Sequence, residues 1–293
     1  VPAHYISEGN MLVSNTKIEP LRDLFERLNF LNGLLLNLQL QLKMSKYSIE
    51  KAIDKNNFEV ANLYAGFCLP IRDLTLIPDK GFFSGNYLTG IFVTQGEEYI
   101  RVIDSLLSRE ALWATSQAYE AFETFLLDQY GYYLLANPKC VDTKKYHKVK
   151  PKLEKDRLTP DKKEFWISFT RLSRYDYLEV MQIFRSLSPE LAEIEKTNSY
   201  QIDLSEWNGV VTEVRHAVTH SNMVIKGERI TEWSLAKIQI LHTFFPGNAI
   251  TKGYELNIKV EDAEKSLQIF GSYGYIIYKL LNGLSGVIME VLK

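Results

Sequence analysis

Asp203-Leu204-Ser205-Glu206-Trp207-Asn208-Gly209-Val210-Val211-Thr212-Glu213-Val214-Arg215-His216-Ala217-Val218-Thr219-His220 is the stretch whose period fixes the fold class. Trp207, Val210, Val211, Val214 and Val218 recur at steps of three, one, three and four, the spacing of one buried helical stripe. Asp203 followed three residues later by Glu206 is a capping-box start. Ser221-Asn222 before the apolar Met223-Val224-Ile225 predicts an end just after His220. Near that end stand an arginine, which holds a permanent positive charge, and histidines, whose unperturbed pKa lies near neutrality. Together these groups can hold a phosphodiester and move its proton without a metal. Five residues at about 100° each leave Arg215 and His220 about 140° apart on a regular helix. They converge only if the last turn loosens or if two copies of the helix meet.

Outward from this helix the signals stay helical. Ile18 to Met44 carries Leu21, Leu24, Phe25, Leu28, Leu31, Leu35 and Leu38 at helical spacing, and Tyr47 to Phe67 predicts a second, weaker helix. Leu76 to Gly96, punctuated by Pro78, Gly81, Gly85, Gly90 and Gly96, reads as a loop or short extended segment. A long helix is expected from about Tyr99 to near Leu135, and Lys162 to Glu195 reads as one helix or two broken near Ser188-Pro189. Tyr254, Leu256, Ile258 and Val260 alternate with polar residues, which predicts a half-buried strand. Lys237 to Phe245 is its expected hairpin partner across Pro246-Gly247-Asn248. A last helix, about Asp262 to Leu292, contains Gly271, Gly274, Gly283 and Gly286, which suggests close backbone approach, with the Arg215 helix as the expected neighbour. Its aromatic residues Phe270, Tyr273, Tyr275 and Tyr278 read as core and interface.

Composition is that of a globular chain: 293 residues, 46% hydrophobic and 24% charged, with a net charge of −2. Cys68 and Cys140 are too few and too far apart for a disulfide framework or a zinc ribbon, so both are expected reduced and packed. Cytoplasm is the default compartment. The most apolar run, Phe30 to Leu42, is interrupted by Asn32, Gly33, Asn37, Gln39 and Gln41 and falls short of the ~20 residues that cross a bilayer. No membrane partner is expected. The sequence opens on Val1, which leaves a processed or trimmed start open. There is no G-x4-G-K-[ST] run to cradle phosphates, and no tight acidic pair beside a glycine-rich loop to hold magnesium.

The run Arg215-His216-Ala217-Val218-Thr219-His220-Ser221-Asn222 resembles the motif of the HEPN superfamily of all-helical nucleotide-binding and ribonuclease domains. In that family an arginine is commonly followed by a polar residue and then, after four to six intervening residues, by a histidine. Ala118-Tyr119-Glu120-Ala121-Phe122 is similar to the acidic and aromatic stretch in the first helix of several HEPN groups. The explicit match covers about thirty residues. What it implies is a mainly α fold: a HEPN-like antiparallel helical bundle over residues 99–293, with a small β-hairpin before the C-terminal helix and an additional N-terminal helical region and linker over 1–98. It implies metal-independent RNA cleavage, with Arg215 and His220 catalytic, His216, Glu120 and Asn222 supporting, and no cofactor. Glu120 would orient Arg215 through a charge-assisted hydrogen bond. It also implies a homodimer whose two motif helices meet, RNA as partner, a role of the toxin or phage-defence kind, and for some members control by an antitoxin protein.

Other readings of the same residues stand beside this one. Arg215 can be a surface residue paired with a carboxylate and His220 a helix C-terminal residue favoured by the macrodipole. The fold can serve as a non-catalytic nucleotide-, RNA- or protein-binding scaffold. His216 and His220 at i and i+4 can ligate metal, but a zincin needs Glu where this chain has Ala217; no metal is assigned. Between Lys139 and Arg157 the chain carries eight basic residues against three acids, +5 in a chain of net −2. There Lys144, Lys145, Lys148 and Lys150 are candidate RNA-backbone contacts, and a solvated loop is the plainer reading. Pro151 and Pro160 argue against a continuous helix through it.

Overall fold

Trp207, fully buried, meets Phe270 edge to face at 4.8 Å between ring centroids, and Phe122 lies 5.4 Å from Phe270 and 5.2 Å from Tyr273. These rings come from three helices far apart in the chain, and their burial fixes the bundle. The computed structural model describes residues 18–54, 70–72, 86–88 and 96–282. The described elements are, in order, α1 (Glu19–Asp54), β1 (Pro70–Arg72), β2 (Asn86–Leu88), α2 (Gly96–Ala136), α3 (Thr143–Lys155), α4 (Lys163–Leu172), α5 (Tyr177–Leu187), α6 (Pro189–Lys196), α7 (Leu204–His220), β3 (Val224–Lys226), α8 (Gly227–Ile230), α9 (Leu235–Phe244), β4 (Gly247–Ile250), β5 (Gly253–Leu256) and α10 (Val260–Leu281). The protein is mainly α-helical, and no described helix is long and apolar enough to cross a membrane.

The described residues divide into two compact units, one of those up to residue 35 with those from 110 on, and one of those between 36 and 109. The division runs through α1 and α2. In the smaller unit β1 pairs antiparallel with β2, Ile49 and Ile103 are buried, and Lys46 meets Asp104 at 3.0 Å. The two helices expected over residues 18–67 are replaced, within the described residues, by the single α1, since Ser45-Lys46-Tyr47 contains no breaker. Most of the expected loop between Leu76 and Gly96 lies outside the described residues.

In the larger unit, Leu21, Leu24, Leu28, Leu31 and Leu35 of α1 are buried at helical spacing. Glu19 receives the Lys163 ammonium at 2.5 Å and the Tyr132 hydroxyl, and these two bonds, Lys163 first, hold its carboxyl below the usual range. Lys162 to Glu195 forms three helices. The last break falls at Ser188-Pro189, as the proline requires, and an earlier one precedes Asp176, whose capping box with Glu179 starts α5. Arg185 of α5 clamps the almost fully buried Glu195 of α6 with two bonds of 2.7 and 3.0 Å, and Tyr273 of α10 donates its hydroxyl to the same carboxylate.

The expected hairpin is part of a three-stranded antiparallel sheet of order β3-β5-β4. Its partner for β5 is not Lys237–Phe245, which lies within α9 and its C-cap, but β4, with Ile250 opposite Gly253 across Thr251-Lys252. Ser234 caps α9, and Ile240, Leu241 and Phe244 bury a helical face, so period 3.6 prevails over the short apolar run. Gly253, at φ +150°, lets β3 approach: a Cβ there would lie 2.1 Å from the Ile225 carbonyl oxygen.

Gly271 and Gly274 of α10 face α1 and α2, and not the Arg215 helix; Gly283 and Gly286 lie outside the described residues. A Cβ on Gly274 would sit 2.4 Å from Leu24 Cδ2, whereas one on Gly271 would meet nothing closer than 3.5 Å. Gly271→Ala is therefore expected to raise stability by about 0.5–1 kcal/mol through helix propensity. Gly274→Ala is expected to lower it, because buried Leu24 would have to shift within a packed core to admit the methyl. Urea midpoints of the two variants read the difference in sign directly.

Candidate functional site

α7 begins at Asp203, whose carboxylate accepts from the backbone N–H groups of Ser205 and Glu206. Glu206, expected to complete a capping box, turns instead to Lys237 at 3.4 Å and Ser234 at 3.3 Å. Trp207, Val210, Val211 and Val214 are fully buried and Val218 half-buried. The helix runs to His220 and ends in a turn closed by the Val224 N–H to the Ser221 carbonyl at 3.0 Å. Its central residues Asn222 and Met223 both have positive φ, 48° and 67°, the type I′ requirement. Asn222 is exposed, and its visible work is conformational: Asn tolerates the left-handed region better than other non-glycine residues.

With the valine stripe buried, Arg215 lies half-buried against α2. Its Nε and Nη2 both donate to Glu120 Oε1 at 3.3 Å, and its guanidinium carbon lies 5.5 Å from the Tyr119 ring centroid. The pair is two-fifths exposed on each side, so its net contribution to stability is about 0–1 kcal/mol, and its main effect is orientation. Gln117 Nε2 donates to the other Glu120 oxygen at 3.5 Å. Beside this pair opens a cleft of about 530 Å³ bordered by Glu120, Gln117, Trp113 and Phe30, the last two substantially exposed aromatic side chains.

Glu123 and Tyr119 complete the cluster; Tyr119 belongs to the acidic and aromatic stretch at residues 118–122, and sequence reading did not single out Glu123. Burial pushes the Glu123 carboxyl up, against the opposing pull of the Tyr119 hydroxyl and the Arg215 charge, while Glu120 and Asp176 add to the rise. Burial likewise pushes the Tyr119 hydroxyl up to about 12, and Thr212 Oγ1 of α7 bonds it at 3.2 Å. The signal available in the sequence was position: Glu123 follows fully buried Phe122 and falls one turn after Tyr119, so a carboxylate flanks an apolar stripe.

His216 and His220 are exposed and form a pair of their own, with ring centroids 5.0 Å apart. Among the described residues no cluster of three metal-ligating side chains forms around them. One chain thus brings Arg215 to Glu120 and His216 to His220, and keeps the helix regular between the two pairs. Glu213 joins Arg229 of α8 at 2.5 Å, which ties α7 to the segment that follows it.

The basic run folds as α3, although Pro151 lies inside it. Asp142 caps its start, Val149 and Leu153 bury one side, and Tyr146 packs on Trp166 at 6.1 Å. Pro151 is on the exposed side, where water can satisfy the carbonyl that its missing N–H leaves. Lys145 is engaged by Glu179 at 2.8 Å and lies 3.6 Å from the Tyr175 ring centroid, and Lys150 meets Glu154 at 3.5 Å, whereas Lys144 and Lys148 are exposed. Cys140, expected to be packed, is exposed, with the Tyr133 hydroxyl 3.6 Å from its sulfur; Cys68 lies outside the described residues. No family model, no curated protein and no solved structure matches the chain.

The raised Glu123 carboxyl has a pH signature. The folded state holds this proton more tightly than the unfolded state, so its contribution to stability falls as pH rises from the ordinary glutamate value through the raised one. Glu123→Gln removes that loss while keeping an acceptor for Tyr119. The variant is expected to match wild type near pH 4 and to exceed it in urea midpoint at pH 7.

Proposed function

We propose that the protein is an endoribonuclease of the HEPN kind that cleaves RNA without a metal and works as a homodimer. The observation that carries the reading is the division on α7. Arg215 is held by Glu120 and Tyr119 in an oriented, half-exposed position, while the His216–His220 pair stands exposed on the same helix end. A phosphodiester bound by Arg215 would find its histidine on the α7 of a second copy.

The chemistry assigns each group a role. The ribose 2′-hydroxyl attacks the adjacent phosphorus, and one histidine accepts its proton. Arg215 stabilises the charge that builds on the phosphorane oxygens. The bond to the 5′-oxygen breaks, and that oxygen takes a proton. The products are a 2′,3′-cyclic phosphate and a 5′-hydroxyl. Glu120 fixes the guanidinium plane, and His216 supports the phosphate.

A second reading, a non-catalytic scaffold with the same fold, draws on the Arg215–Glu120 pair itself, since a guanidinium satisfied by its own chain has fewer donors left for a substrate. The two readings separate on one experiment: incubation with end-labelled RNA in EDTA at pH 7, followed by analysis of product ends. The nuclease reading expects cyclic-phosphate ends from wild type, a loss of about 100-fold or more in Arg215→Ala and in His220→Ala, and a smaller loss in Glu120→Gln. Equal cleavage by folded wild type and both variants would remove the assignment.

A further inference from the structure

We infer that α3 and the cleft at its N-terminal end form a binding surface for single-stranded nucleic acid, separate from the Arg215 and His220 residues. Lys144, Lys148, Lys152 and Lys155 are all exposed. At 100° per residue they fall within about 80° of one another around the helix, and the first three rise in steps of about 6 Å. They form one continuous cationic stripe. It differs from the set suggested by sequence: Lys145 and Lys150 turn aside to Glu179 and Glu154, and Lys152 and Lys155 take their place.

A cleft of about 840 Å³ opens at the start of the stripe, with Lys144 in its wall. Its aromatic lining is Tyr130, Tyr133 and Tyr175; Tyr130 lies 6.5 Å from Tyr133 and nearly parallel to it, and 5.3 Å from Tyr175 edge to face. Tyr133 is the ring of this group that is only half-buried, and Gln182 offers an exposed amide beside it. The acids of the wall are already engaged: Glu179 with Lys145, and Asp142 with the backbone N–H groups of Lys144 and Lys145. A regular row of cations leading to an aromatic cleft is the combination that single strands use, phosphates on the charges and a base on the ring. Duplex RNA would gain the charges but leave the ring unused.

This surface extends the RNA reading and rests on it for the choice of RNA over other polyanions. The test measures binding and not cleavage, by fluorescence anisotropy of labelled single-stranded RNA in EDTA over a salt series, using the full chain carrying His220→Ala. Replacing all four stripe lysines by Gln is expected to reduce the slope of log affinity against log salt by about 3, at about 0.7 per phosphate contact on single strands. Tyr133→Ala is expected to weaken binding roughly five- to hundred-fold with the slope unchanged. The control Lys252→Gln/Lys265→Gln should change neither, and circular dichroism checks the helix content of each variant. Undiminished binding by the four-lysine variant overturns the surface while leaving the nuclease reading in place. Binding that follows the stripe in a protein whose wild type yields no cyclic-phosphate product keeps the surface and removes the nuclease. No binding by wild type at low salt overturns the surface.

Discussion

The contact between Trp207 and Phe270, with Phe122 and Tyr273 stacked behind it, sets the rotation of α7 about its own axis, and the placement of every candidate functional group on that helix follows from the rotation. Burying an aromatic side chain of this size is worth several kcal/mol, and truncating one costs about 3–5 kcal/mol. The valines at 210, 211 and 214 add to the same side. No ion pair on the exposed side competes with this: the Arg215–Glu120 bridge contributes about 0–1 kcal/mol. Arg215 therefore reaches α2 because the apolar stripe turns it there, and the bridge fixes only its final orientation. By the same rotation His216 and His220 are exposed, and a regular helix sets Arg215 and His220 about 140° apart around its axis.

Electrostatics in this region is graded by depth. Glu120, two-fifths exposed, pairs with Arg215, while Glu123, one turn further into the bundle, bears the cost of burial and is eased by Tyr119 and Arg215. Two carboxylates three residues apart on α2 thus serve one cation unequally, the outer as its hydrogen-bond acceptor and the inner as a group that burial inclines toward its neutral form. Buried Glu195 is instead fully paired, in the Arg185–Glu195–Tyr273 network that joins α5, α6 and α10.

Much of α7 was legible before its structure. The stripe, the Asp203 cap and the end at His220 follow from spacing and residue type, because local periodicity and capping are local physics, whereas the Glu120–Arg215 bond joins residues 95 apart and was expected only from the resemblance. The mistaken elements lie where tertiary packing decides. Pro151 argued against a helix, yet Val149, Leu153 and Tyr146 have a partner surface on α4 that rewards one. Lys237–Phe245 reads as a strand by its apolar density, but Ser234 and the face of Ile240, Leu241 and Phe244 make it helical. The lysines could be counted from sequence, and Lys150 has Glu154 four residues on, but the capture of Lys145 by Glu179 and Tyr175 depends on neighbours distant in the chain. Glu123 escaped notice for the same reason.

On the proposed reading, Arg215 and His220 of one chain do not share a site, and activity needs two chains. The direct measurement is complementation between inactive chains: Arg215→Ala protein and His220→Ala protein are mixed, unfolded together, refolded and assayed on labelled RNA in EDTA. A shared site predicts that half of the dimers are mixed and that each mixed dimer has one intact site, so the mixture should recover about a quarter of wild-type cleavage. A mixture as inactive as its components, with mixed dimers present, would contradict the account.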